Sequence, residues 1–285
     1  MRSVESMVVL ITGSTDGLGK LVARELAIRG ATVLLHGRDP DKGEAVLREL
    51  ALASGSTRLR YYNADLASLA EVRALAERLR EQEPQLQVLV NNAGIGPLAP
   101  GLPRRLSRDG HELLLAVNYL SGFLLTRELL PLLTRSAPAR IVNVASIGQQ
   151  TLDFDNLMLE RDYDDARAYR QSKLAQILDT VSLAEQLAGS GVTVNCLHPA
   201  TLMDTKMVHE SRGYFPGVKS STDEGAAAVL RLICDPALAG VSGRYFDGQS
   251  EARPNDQAAS EEARRRLLDA SDRLCSPAAL VTRIP

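Results

Sequence analysis

The sequence predicts an α/β protein built on a doubly wound parallel sheet, and three observations carry that expectation. Short apolar runs alternate with longer helical patterns along the whole chain. The runs are β-branched and nearly continuous in apolar residues, as strands covered on both faces of a parallel sheet are. A glycine-rich turn, ITGSTDGLGK (11–20), joins the first run to the first helical pattern. Alternation of this kind favours right-handed βαβ crossovers. Seven parallel strands in a single domain spanning 1–285 are expected.

The strands in order are MVVLITG (7–13), TVLLHG (32–37), LRYYNADL (59–66), LQVLVNNAG (86–94), ARIVNVAS (139–146), VTVNCLHP (192–199) and GRYFDG (243–248). Gly, Pro, Asn or Asp bound them, which is strand punctuation. Between them run helical patterns. The first ends at Gly30, a residue suited to a helix stop. The second opens with Asp39 as a cap and Pro40 at the first helical position. Further patterns cover 68–82, 110–133, 165–191 and 223–235, and a charged helix is expected over 260–275. Four connections are long: 96–110, 148–167, 200–221 and 249–260. The first three follow strands, so they fall at the carboxyl edge of the sheet, where open α/β sheets bind ligands. The 148–167 stretch reads as an insertion and 200–221 as a substrate lid.

Bulk properties exclude other classes. The chain has 285 residues, 45% hydrophobic and 24% charged, with net charge −2. That balance offers no footprint for nucleic acid or an anionic membrane. Cys196, Cys234 and Cys275 are far apart and form no disulfide framework, which fits a reducing compartment. The apolar run near the N-terminus is too short for a signal peptide, and no later run approaches about 20 apolar residues. A cytoplasmic protein with no membrane partner is expected. The four histidines form no metal-spaced pair, and Cys196 with His198 falls short of a ligand set, so no metal is expected.

Gly13, Gly17 and Gly19 are spaced G-x-x-x-G-x-G at a strand-to-helix turn. Glycines there let the backbone come close to a pyrophosphate, and the helix N-terminus offers free N–H groups to it. An acid at the end of the second strand would hold a ribose 2′-hydroxyl, and an Arg there would accommodate a 2′-phosphate. Here Gly37 carries no carboxylate and Arg38 brings a guanidinium, so NADP(H) is favoured over NAD(H). Asp39 competes for a hydroxyl but also caps its helix, and Asp16 inside the loop disfavours a phosphate. Asp65 can accept from an adenine amino group or cap the 68–82 helix.

Together T12-G-S-T-D-G-L-G19, Asp65, N91-N-A-G94, Asn118, Ser146, Y169-R-Q-S-K173 and H198-P resemble the short-chain dehydrogenase/reductase superfamily over roughly residues 7 to 250. The glycine spacing is that of its shorter members rather than its extended ones. The GRD after the second strand, AYRQSKLAQIL and the 23-residue gap from Ser146 to Tyr169 are most similar to the branch of retinol dehydrogenases and protochlorophyllide reductases. The resemblance implies a Rossmann fold. It places the cofactor against Gly13, Ser14, Thr15, Gly17, Leu18, Gly19, Arg38, Asp65, Leu66, Asn92, Ala93, Gly94, Tyr169, Lys173 and Pro199. Pro199-Ala200 stands where the family has Pro-Gly, and Thr205 lies one residue later than usual, so Thr201 or Thr205 would touch the nicotinamide carboxamide.

Reduction of a carbonyl needs a hydride, a proton and a polarised oxygen. A free tyrosine has a pKa near 10, too high for acid–base work at neutral pH, and a nearby ammonium lowers it. Lys173 stands one helical turn from Tyr169. The resemblance makes Tyr169 the acid/base and has Lys173 hold the nicotinamide ribose, with Ser146 orienting the substrate oxygen and Asn118 holding a relay water. Phe154, Leu202, Met203 and Met207 are the candidate contacts to a small or medium hydrophobic ketone or aldehyde, with Leu157, Met158, Val208, Tyr214, Phe215 and Pro216 adding apolar surface. The expected reaction is carbonyl reduction or its reverse. The rivals are a non-catalytic cofactor-sensing regulator, and an enzyme of the same family performing epimerisation or C=C reduction. The resemblance implies pairing through the helices at 110–133 and 165–191, as a homodimer or homotetramer, although some relatives with this insertion are monomers.

Overall fold

The computed structural model describes residues 3–211, 214 and 217–276. Seven parallel strands form the sheet: β1 (Val8–Ile11), β2 (Thr32–Gly37), β3 (Leu59–Asn63), β4 (Val88–Asn91), β5 (Ala139–Val144), β6 (Val192–His198) and β7 (Tyr245–Asp247). Their spatial order is 3-2-1-4-5-6-7, so the chain reverses its winding between β1 and β4. The seven-stranded expectation is extended by one: β8 (Ser250–Ala252) folds back antiparallel on β7, pairing Phe246 with Glu251. Its residues are exposed or half-exposed at the sheet edge. A polar edge strand leaves no apolar run in the sequence, which is why 249–260 reads there as plain loop.

Helices cover both faces. α1 (Gly17–Ile28), α2 (Pro40–Ser54) and α7 (Thr222–Cys234) close one core around Val9, Ile11, Leu35 and Val90. α3 (Leu69–Gln82), α4 (Leu113–Arg135), α5 (Asp165–Gln186) and α8 (Glu261–Cys275) close the other around Leu10, Leu89, Ile141 and Val194. A short helix, α6 (Lys206–Glu210), lies in the 200–221 segment. Asp39 caps α2 as expected, accepting from Lys42 N–H at 3.1 Å. The cap of α3 is Ser68 rather than Asp65, whose carboxylate accepts from Ala67 N–H inside the preceding turn.

The helix expected over 110–133 starts and ends later and is not uniform. Ala116–Leu120 forms one π turn, with Ser121 N–H reaching Ala116 O. Such turns insert one extra residue and recur at functional sites. By length and composition α4 could cross a membrane, which the sequence reading had excluded for every run, but 67% of its most apolar window is buried inside the protein. It is the central helix of a core.

Candidate active site

The site lies at the carboxyl ends of β1, β4, β5 and β6, where the winding reverses. The glycine loop is shaped by close approach. Gly13 adopts φ +65°, and a Cβ on it would sit 2.8 Å from Ala93 Cα. A Cβ on Gly19 would stand 2.5 Å from Gly13 O and from Asn92 Nδ2. No other residue fits either place. Thr12 Oγ1 accepts from Asn92 and Ala93 N–H, both at 3.0 Å, and Asn92 Nδ2 donates to Thr12 O at 2.8 Å. Asn92 and Ala93 therefore fasten the β4 end to the loop. Ser14 Oγ accepts from His36 N–H at 2.9 Å, tying the loop to β2.

The second strand ends as a nucleotide cleft should. A Cβ on Gly37 would strike Thr15, and Arg38 is exposed beside it. Asp16 caps α1 and is paired with Lys42 at 2.6 Å. That lysine holds its carboxyl below the usual range. The acid that disfavoured a phosphate is thus neutralised by a cation from α2. Asp65 is paired with Arg108 at 3.4 Å, and Leu66 beside it is buried.

Tyr169, Lys173 and Ser146 come together. Tyr169 is half-buried, and burial raises its pKa while a hydrogen bond from Ser146 lowers it. Ser146 Oγ also accepts from Gly148 N–H at 3.0 Å, and its carbonyl accepts from Tyr245 OH at 3.2 Å. Lys173 is 3% exposed and has its Nζ 5.8 Å from the Tyr169 ring centroid. Nζ donates to Val144 O at 2.8 Å and to Gln176 Oε1 at 3.0 Å. Burial without an acidic neighbour pulls its pKa down to about 7. Gly94 borders the same groups: a Cβ there would lie 3.3 Å from Asn118 Oδ1, 3.6 Å from Lys173 Nζ and 3.7 Å from Met207 Cε.

Asn118 is fixed by its amide. Its Oδ1 accepts from Ile95 N–H at 2.8 Å, and its Nδ2 donates to Ile95 O at 3.1 Å and Ser172 Oγ at 3.0 Å. The amide clamps the β4 loop. Beside it lies a small void of about 10 Å³ lined by Asn118, Asn91, Thr12, Ser121 and Gln176, room for about one water.

The segment after β6 divides the remaining candidates. Thr201 Oγ1 is bonded to His198 Nε2 at 3.0 Å, whereas the Thr205 methyl group packs over Gly17. Pro199 lies against Gly225 of α7. Met207 stands over Gly94 and Gly96. Leu202 adopts φ +50° in the turn leading there. Two of the four substrate candidates point elsewhere. Met203 packs over Gly225 into the core beneath α7, and Phe154 lies against the other core with Arg266 of α8 4.7 Å above its ring. Leu157 and Met158 join that same core, and Phe215 and Pro216 lie outside the described residues. Tyr169 instead packs with Ile95, Leu114, Leu159, Tyr163 and Ala168. The sequence reading missed this wall. Leu159 reaches it from a left-handed backbone, φ +46°, which no periodicity signals.

A Rossmann sheet with this cleft and a Tyr–Lys pair beside it defines a nicotinamide-dependent oxidoreductase. A family model described as short chain dehydrogenase matches residues 7–213, and the chain belongs to that family. It is 38% identical over 287 residues to retinol dehydrogenase 13 of Mus musculus, spanning 95% of this chain and 84% of that one. A solved structure of a Mycobacterium paratuberculosis protein aligns with TM-score 0.78 at 30% identity, covering 96% of this chain and 95% of that one. The Pseudomonas aeruginosa RhlG/NADP active-site complex aligns with TM-score 0.70 at 28% identity, covering 87% and 97%.

Proposed function

We propose that the protein interconverts a carbonyl and an alcohol using NADP(H), with Tyr169 as the proton donor in reduction. The observation that carries this is the meeting of Ser146, Tyr169 and Lys173 beside Gly94 at the end of β4. Bound there, the nicotinamide supplies the hydride. Ser146 Oγ orients and polarises the substrate oxygen, Tyr169 Oη hands it a proton, and Lys173 favours the resulting phenolate by its charge. Reduction therefore delivers one hydride to carbon and one proton to oxygen, and oxidation reverses both. Asn118 holds Ile95 and the α4 π turn in place beside Lys173.

The cleft residues fit a dinucleotide. Gly13 and Gly19 leave the surface that a pyrophosphate requires, and Thr205 borders Gly17 at the same end. Arg38, with the Lys42–Asp16 pair behind it, supports a 2′-phosphate. The RhlG complex with NADP agrees with that reading. Ile95 and Tyr163 in the apolar cluster that Tyr169 joins, Met207 over Gly94, and Ile147 exposed next to Ser146 favour an apolar substrate. The relatives' name, retinol dehydrogenase, points to an apolar alcohol as well.

Turnover of NADPH with a panel of apolar aldehydes and ketones tests the reaction. Tyr169→Phe should lower kcat by about 10²–10⁴-fold while leaving cofactor affinity intact. Parent-like turnover in that variant removes Tyr169 from the chemistry. Arg38→Ala should weaken NADPH binding far more than NADH binding, and equal losses would sink the cofactor assignment.

A further inference from the structure

Lys173 is held by two neutral acceptors and no acid. Val144 O at the end of β5 takes one N–H, and Gln176 Oε1, one turn further along α5, takes a second. An ammonium carries three N–H donors. Fixing two of them leaves the third for what remains nearby, the Gly94 and Tyr169 side of the lysine. Gln176 is itself 6% exposed, so its carboxamide has no bulk water to turn towards. It also lines the one-water void next to Asn118. The surroundings of Lys173 are otherwise short of charge. Tyr169 faces it from its own helix and His198 from β6, with Asp247 of β7 acting on His198 in turn. β5 presents the Val144 carbonyl, and α4 presents the Asn118 amide beside Gly94.

We propose that Gln176 is a positioning residue whose carboxamide oxygen holds the Lys173 ammonium so that its free N–H serves the cofactor ribose and Tyr169. The proposal rests on the roles given to Tyr169 and Lys173 under the function proposed above. Gln176 acts on the reaction only through the lysine. Val144 O is backbone and cannot be lost by substitution, so among the described residues Gln176 is the side chain bonded to Lys173 Nζ through which the lysine can be tuned without touching it. Replacing the acceptor with a hydrocarbon strands an N–H in an apolar wall, which disfavours the charged form. A less charged Lys173 gives less support at neutral pH to the phenolate that forms as Tyr169 hands over its proton.

The test reads Lys173 directly in the full-length protein, without turnover. Carbon-13 NMR titration of the lysine Cε signals of each variant, compared with the same variant carrying Lys173→Met, gives the Nζ midpoint. Gln176→Leu should lower that midpoint by about one pH unit. In turnover assays it should lower kcat about tenfold at neutral pH, with KM changed less than twofold. Gln176→Asn keeps a carboxamide oxygen and should recover most of both. The proposal is overturned if Gln176→Leu keeps the parent midpoint. It is equally overturned if Leu and Asn shift it alike, since packing at 176 would then be the cause. Should the midpoint move as expected while no carbonyl is turned over by the parent, Gln176 keeps its place and the oxidoreductase reaction is what fails.

Discussion

Gly13 shows how one residue can carry both shape and binding. Its φ of +65° is costly for any side chain, and a Cβ would meet Ala93 at 2.8 Å. The left-handed backbone alone costs an alanine about 1–2 kcal/mol, and the collision adds to it. Gly13→Ala should therefore lower Tm by several degrees and weaken NADPH binding at least about tenfold, since each 1.4 kcal/mol is a factor of ten. Fluorescence titration with NADPH reads this, and parent-like affinity would remove the loop from the phosphate site. The glycine was legible because its constraint is local: the chain cannot make that turn otherwise. Arg38 and the Tyr169–Lys173 spacing were legible for the same reason, being set by one strand end or one helix. Gln176 sits three residues beyond Lys173, on the same helical face, and that spacing was the available signal. Its meaning depended on Lys173 being buried, which the sequence of α5 did not display.

Elements meet at Asp165, the first residue of α5. It is 5% exposed, and its carboxylate accepts from Leu98 N–H at 2.8 Å and from Tyr214 OH. One side chain on the helix that bears Tyr169 thus fastens both the 96–110 loop and the 200–221 segment. Burial and the facing carboxylate push the Tyr214 phenol upward, so it stays a donor at neutral pH. Asp165→Ala should loosen both segments, raising hydrogen exchange at 96–99 and 206–211 and raising KM several-fold. Tyr214→Phe should loosen 206–211 alone. Unchanged exchange in both would mean that the segments hold themselves. Long-range fastenings of this kind explain where the sequence reading stopped. Strands and helices were readable from periodicity and caps, apart from the polar edge strand β8. The π turn in α4, the clamp of Asn118 on Ile95 and the removal of Phe154 and Met203 to the two cores come from tertiary packing. Apolar residues in a loop show only that something buries them, and here for those two it is α7 and α8.

Across the whole molecule, buried titratable groups set how stability follows pH. Lys173 is pulled from 10.5 to about 7 and His36 from 6.5 to about 4, both by burial. His36 Nδ1 accepts from Gly13 N–H at 3.2 Å, a bond that requires the neutral ring. For each, the unfolded chain binds more protons than the folded one between the two pKa values, so stability rises with pH through that window. The lysine window runs from about 7 to 10.5 and the histidine window from about 4 to 6.5. At 1.36 kcal/mol per unit the full spans amount to about 5 and about 3 kcal/mol. Cys196 and Cys275 work the other way. Burial lifts both from 9 to about 12, so the folded thiols keep protons that the unfolded chain releases above 9, and stability falls there. The opposing slopes place the crest of stability near pH ~9. Urea unfolding of the cofactor-free protein between pH 6 and 10 checks this. Lys173→Met should flatten the rise between pH 7 and 9 and steepen the decline between 9 and 10.5, where the lysine no longer opposes the two thiols. If parent and variant climb with the same slope, Lys173 does not titrate in that window. A confirmed difference would mean that the cation beside Tyr169 is kept at a cost in stability, as preorganised sites are.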